Sequence, residues 1–158
     1  LYVGGTQLSG GKIKQVITQS QTASQSISSG SYTATTCGTA ITPSANGSKI
    51  YVAINMQVQT YTSGGSTTRG SLRVYRDIGG AGYSAVYPAT DIINVGGTYD
   101  NNDIEMSIYH RVPLIFLDSP NTTSAVNYKV YGKNSGGSNI TISNSNGDST
   151  INLFEVSA

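Results

Sequence analysis

The chain has 158 residues, of which 11% are charged, and a formal net charge of +1. That length suits one compact domain with a real core, and the near-neutral balance gives no electrostatic footprint for nucleic acid. No long apolar run provides a membrane span, so neither nucleic acid nor membrane insertion is expected. The surface must be covered largely by Ser, Thr, Asn, Gln and Gly.

Richness in Thr, Val, Ile and Tyr, with 19 Gly and no Trp, is a β-protein composition with many turns. A single cysteine, Cys37, excludes an intramolecular disulfide, so stability must come from the core or from oligomerisation. The opening "LYVGGTQLSGGK" lacks the charged and apolar regions of a signal peptide, and the chain is read as a piece of a longer protein. Residues 1–11 are assigned to a linker or the end of a shaft, and 12–158 to one domain.

The first strand expected in chain order is "KIKQVITQ" (Lys12 to Gln19), whose alternation places Ile13 on the buried face, away from Lys12 and Lys14. The following "QSQTASQSISSGS" is polar and of low complexity, and reads as a solvated edge or loose connection. "YTATTCGTAIT" resumes the β pattern. "PSANGSK" then marks a turn in which Asn46-Gly47 is suited to positive φ. "KIYVAINMQVQTY" (Lys49 to Tyr61) is the strongest strand signal, with Ile50, Val52, Ile54, Met56 and Val58 on one core face.

After the flexible "TSGGSTTRGS", "LRVYRD" reads as the return strand of a hairpin, with Leu72 and Val74 opposite Arg73 and Tyr75. Residues Ile78 to Asp103 are expected to carry most of the irregular structure, a setting that often serves function. In "IEMSIYHRVPLIFLDS", Pro113 demands a bulge or an edge position. "AVNYKVYGK", "NITIS" and "STINLFEVSA" complete a set of eight or nine strands with no convincing helix. The expected fold is an all-β antiparallel sandwich or jelly roll.

Taken together, "ITPSANGSKIYVAINMQV", "LRVYRD", "LDSPNTTSAVNYKVYGK" and "STINLFEVSA" resemble, in order and spacing, the C-terminal heads of tailed-phage fibre proteins, particularly those of marine and cyanobacterial phages. The resemblance spans Gly11 to Ala158. It implies a jelly-roll head of the tumour-necrosis-factor and C1q kind, a homotrimer at the distal end of a virion fibre, outside the cell, contacting other fibre proteins and a host-surface receptor. Within it, "LDSPNTT" reads as a strand connection, with Asp118 and Ser119 bonding nearby backbone N–H groups, Pro120 fixing φ, and Thr122 and Thr123 satisfying exposed backbone.

Signals for catalysis are weak. The lone His110 lies in a strand-like run with no nucleophile set beside it, and nothing basic flanks Cys37 to lower its pKa. Asp100, Asn102 and Asp103 in "YDNNDIE" offer oxygen ligands to Ca²⁺ without matching a calcium-loop spacing, and a solvated turn leading into a strand is the preferred reading. The same residues, with Glu105 or Asp91, could supply the paired carboxylates of a fibre-borne glycan depolymerase, but nearness along the chain does not give the separation that glycoside hydrolysis requires. Neither a cofactor nor an enzymatic activity is expected. Asn46, Asn121 and Asn139 begin glycosylation triplets that also fit ordinary turns.

Tyrosine usage stands out: 11 Tyr accompany only 2 Phe. Tyr61, Tyr83, Tyr87 and Tyr99 fall in or beside loops, near Arg69, Asp100, Asn101 and Asn102. Aromatic faces stack on sugar rings while amides and carboxylates bond hydroxyls, so these eight residues are the candidate receptor-binding set, with a glycan as ligand. The alternative is that the tyrosines pack at a trimer interface or cap the sandwich. The functional expectation is a non-catalytic receptor-binding head; a head-fibre or capsid decoration domain would share its fold.

Overall fold

In the computed structural model of the chain, residues 12–62, 67–88, 105–143 and 147–157 are described, together with the backbone of three short strands elsewhere. The strands are β1 (Tyr2–Val3), β2 (Thr6–Gln7), β3 (Ile13–Gln21), β4 (Gln25–Ile27), β5 (Thr33–Ile41), β6 (Lys49–Thr62) and β7 (Thr67–Ile78). They continue as β8 (Ser84–Tyr87), β9 (Asn94–Tyr99), β10 (Met106–Asp118), β11 (Val126–Gly136), β12 (Ile140–Ile142) and β13 (Ser149–Val156). Among the described residues there is no helix, as the β-branched composition requires.

Two antiparallel sheets form a sandwich. In the first, β6 lies centrally, with β10 along one side and β13 and β12 end to end along the other; β3 and β4 lie outside these in turn. In the second, the order is β5, β11, β7, with β8 and β9 sharing the far side of β7. Counting β8 and β9 as one position and setting aside the short β4 and β12, the main strands in chain order occupy places one, eight, three, six in one sheet and two, seven, four, five in the other. That is jelly-roll connectivity.

Period-two alternation on β6 builds the core. Ile50, Val52, Ile54, Met56 and Val58 are at most 1% exposed, as expected from the sequence. They meet Leu72 and Val74 from β7 and Val126, Tyr128 and Val130 from β11. Full burial of each such side chain contributes about 1.5–3 kcal/mol. An aromatic seam lies beside them: Tyr87 stacks on Phe116 at 4.7 Å and 7°, and Phe116 meets Tyr128 edge-on at 6.4 Å.

Several sequence expectations change. Ile13 is 60% exposed: opposite Glu155 and Val156 the register shifts, β3 carrying one extra residue, Lys14, so that the end of β3 leaves the alternation that buries Ile17. The polar "QSQTASQSISSGS" contains the end of β3 and all of β4, which holds its place by pairing with β12 and burying Ile27. The turn before β6 closes through the Ser48 N–H to the Ala45 carbonyl at 3.0 Å, and neither Asn46 nor Gly47 takes positive φ. Within Ile78 to Asp103, β8 and β9 extend the second sheet; Gly79 and Gly80, at φ 60° and 83°, supply the left-handed turn between β7 and β8.

Pro113 does occupy an edge strand. Among the described residues β10 pairs only with β6, and proline's missing N–H is tolerated there. Asp118, in contrast, is turned inward rather than capping its turn. Its carboxylate accepts two hydrogen bonds from Arg76 Nη1 at 2.8 Å and one from the Tyr128 hydroxyl at 2.6 Å. The turn is held by other groups: Asn121 takes φ 50°, and Thr122 Oγ1 accepts from the Ser124 N–H at 3.0 Å.

Cys37 is 1% exposed, and burial pushes its thiol pKa up to about 12. The thiolate is the reactive species, so folded protein should resist alkylation at pH 8, whereas urea-unfolded protein should be labelled within minutes. Mass spectrometry of quenched samples checks this; comparable labelling rates would mean that the β5 region opens readily.

Candidate functional site

The register of the first sheet sorts its outer face into two regions. Tyr51, Ala53, Asn55, Gln57, Gln59 and Tyr61 alternate with the core residues of β6 and point away from the second sheet. Tyr51 is aligned with Phe154 on β13 and Leu117 on β10, and Phe154 in turn with Val16 on β3. This row is apolar and open to solvent: Val16 is 49%, Tyr51 39% and Leu117 53% exposed. The next row adds Ala53 and Ile115, beside a shallow depression of about 450 Å³ that also touches Pro113 and Asn152.

Toward the other end of β6 the same face becomes polar. Ser26, Thr141, Gln59 and Tyr109 follow one another across β4, β12, β6 and β10. A cleft of about 510 Å³ opens here, lined by Ser26, Gln59, Tyr61, Ser138, Asn139 and Thr141. Among the described residues, every lining side chain is neutral. Together they present hydroxyls, two amides and one aromatic ring, the groups suited to a polyhydroxylated, uncharged ligand.

Hydrogen bonds fix the walls of this cleft. Thr68, fully buried, donates its hydroxyl to the Tyr61 carbonyl at 2.7 Å and accepts from the Ser138 N–H at 3.1 Å. It therefore ties the strand carrying Tyr61 to the turn carrying Ser138 and Asn139. Asn134 braces the same turn, donating from Nδ2 to the Ser138 carbonyl at 2.7 Å. Gly137, at φ 75°, lies so close to the Thr67 carbonyl that a Cβ would collide with it. Gln59 Nε2 donates to Ser107 Oγ at 3.1 Å and to the Tyr109 hydroxyl at 3.4 Å.

The sequence-derived candidates do not converge. Tyr61 lines the cleft. Arg69 is exposed on β7, and Tyr83 precedes β8; both belong to the second sheet's side of the molecule. Tyr87 stacks on Phe116 and packs against the core. The side chain of Tyr99, together with Asp100, Asn101 and Asn102, lies outside the described residues, as do Asp91 and Asp103. His110 is partly buried, its Nε2 3.4 Å from Thr60 Oγ1. Among the described residues no three His, Cys, Asp or Glu side chains form a metal-holding group.

Sequence reasoning did not single out Ser26, Gln59, Ser138, Asn139 or Thr141 as site residues. A signal existed in "NITIS", whose alternation buries Ile140 and Ile142 and leaves Asn139 and Thr141 on the other face. The pairing of β12 with β6 brings them beside Gln59.

No protein-family model matches the chain, and no curated protein does. Among solved structures, it is similar to a chain of the infectious bursal disease virus Gx strain at 12% identity and a TM-score of 0.29. The match covers 90% of this chain and 37% of that one, so the chain spans little more than a third of its length.

Proposed function

We propose that the chain is a virion domain, the non-catalytic head of a phage tail fibre, which binds an uncharged glycan on the host surface and acts as a homotrimer. The observation that carries this reading is the cleft around Tyr61, Asn139 and Thr141, where an aromatic face and amide and hydroxyl groups converge with no charged side chain among the described residues that line it. The sequence resemblance to fibre heads supports the viral setting. The exposed apolar row of Val16, Phe154, Tyr51 and Leu117 supports self-association, since such patches on β-sheet faces mark interfaces. Three linked clefts would make weak single contacts add to firm attachment.

The test combines binding of fluorescently labelled protein to a panel of bacterial cells with its mass by light scattering. A trimer that labels some strains is expected, with Tyr61→Ala weakening labelling by about tenfold at unchanged mass and Leu117→Asp reducing the mass to that of a monomer. A monomeric wild type at micromolar concentration overturns the trimer. A trimer that labels no strain, or labelling indifferent to Tyr61→Ala, overturns the glycan cleft and favours a structural fibre or decoration role.

A further inference from the structure

The shallow depression on the outer face of the first sheet is separate from the Tyr61 cleft and has a chemistry of its own. Register explains why it exists. Ile115 on β10, Ala53 on β6 and Asn152 on β13 form one outward row, and Pro113, Asn55 and Thr150 form the next. Ala53 places a single methyl group between two longer neighbours, so the face dips at the middle strand. The hollow of about 450 Å³ is lined by Ala53, Pro113, Ile115, Asn55, Asn152 and Arg111. Its volume lies in the range that small-molecule sites occupy.

Arg111 supplies the one charge among the described lining residues. It sits opposite Gln57 of β6, yet its Nη1 donates to the Asp148 carbonyl, just ahead of β13, at 2.5 Å. Because β6 lies between β10 and β13, the side chain crosses over β6 to reach that carbonyl and closes one end of the hollow. Gln57, outward-facing by alternation, is only 1% exposed beneath it. The backbone of Gly147 lies against the guanidinium, where a Cβ would meet Nη2. The turn ahead of β13 thus fixes the guanidinium without neutralising it: the bonded group is an uncharged carbonyl, and among the described residues no carboxylate lies within ion-pair reach of Arg111. A guanidinium has five N–H donors, and this bond uses one. Two amides stand beside it, Asn55 exposed and Asn152 with its Nδ2 3.5 Å from the Ala53 carbonyl.

We propose that this hollow is a second binding site, for a small monoanionic amphiphile whose head, a carboxylate or a sulfate monoester, pairs with Arg111 while its aliphatic body lies over Ala53 and against Pro113 and Ile115. The planar fork of a guanidinium matches two oxygens of such a head. A single cation selects a single anionic group, so a polyanion gains nothing from its further charges. The walls are aliphatic, and no ring among the described lining residues offers a stacking face to a sugar or a base. The apolar body separates this ligand from simple anions: Ile115 is 48% exposed, and covering it removes apolar surface from water. The site uses no residue of the Tyr61 cleft and does not require the trimer.

The test titrates ¹⁵N-labelled intact protein with octanoate, octyl sulfate, octylammonium and acetate, following the amide signals of Ala53, Ile115 and Asn152. Saturable shifts with one or both amphiphilic anions are expected, and the two probes distinguish carboxylate from sulfate preference. Octylammonium and acetate should leave the signals in place. Arg111→Gln should weaken anion binding by about tenfold or more, since a charge-assisted hydrogen bond is lost. Lys12→Gln, an equal charge change on an exposed residue outside the hollow, should not. Ala53→Leu, which fills the hollow from its floor, provides a second variant and should abolish saturation. Repeating the titrations on Leu117→Gln protein, with the apolar row interrupted, keeps burial of this face between copies from masking the hollow. Absence of binding by both anions in both proteins, octylammonium or acetate binding as tightly as octanoate and octyl sulfate, or indifference to Arg111→Gln overturns the proposal.

Discussion

Asp118→Ala is expected to lower unfolding stability by roughly 3 kcal/mol, the lower end of what breaking a buried ion pair costs. Asp118 ends β10 in the first sheet, while Arg76 and Tyr128 belong to β7 and β11 in the second. Their hydrogen bonds therefore clamp the two sheets together where the chain crosses from one to the other. Side-chain exposures of 22% for Arg76 and 13% for Asp118 leave some access to water, which limits the effect. Removing the carboxylate leaves the guanidinium without its ion-pair partner and strands the hydroxyl of a tyrosine that is 0% exposed.

Denaturant titration checks the number and its cause. Tyr128→Phe, which deletes one hydrogen bond and keeps the ion pair, should cost only about 1 kcal/mol. Replacing both charges, Asp118→Leu with Arg76→Met, should cost less than Asp118→Ala alone, because no unpaired charge remains. A loss below about 1 kcal/mol for Asp118→Ala would mean that water solvates Arg76 well enough to replace its partner. The Tyr128 phenol carries a related signature: burial, then the hydrogen bond to Asp118, raises its pKa above the usual phenol range.

Asp118 also marks the limit of what was legible in the sequence. "LDSPN" announces a turn, and local rules assign its Asp to backbone capping. Nothing local reveals that Arg76, 42 residues away, lies across the sandwich. The core face of β6 was legible because burial there follows strict alternation on a long strand. Exposure of Ile13 was not, since the register shift at Lys14 on β3 shows only against β13, a partner distant in sequence.

The candidate site divides in the same way. Its chemistry was visible as excess tyrosine, but its location was not, because a core tyrosine such as Tyr128 and outward ones such as Tyr61 look alike in sequence. Tyr61 reached the cleft through the pairing of β6 with β12, and Tyr87 was drawn to Phe116 by stacking.

Glu155 gives the second large effect, and it carries a pH signature. The residue is 0% exposed, and its carboxylate accepts from the Ser44 N–H at 2.7 Å, the Ser44 hydroxyl at 2.6 Å and Gln15 Nε2 at 2.9 Å. Burial by itself raises its pKa; the hydrogen bonds from Ser44, Ser48 and Gln15 together outweigh that and bring it down to about 2. Because the folded pKa lies below the unfolded value near 4.5, the stabilisation is complete above pH 4.5 and is lost as pH falls toward 2. Glu155→Ala at pH 7 should cost roughly 2–3 kcal/mol by stranding donors at the end of the core. Glu155→Gln should cost less and flatten the profile, so that the melting-temperature gap between wild type and variant narrows steadily from pH 5 to pH 2. A gap that stays constant across that interval would show that Glu155 ionisation contributes nothing, and that the turn through Ser44 and Ser48 is held by shape alone.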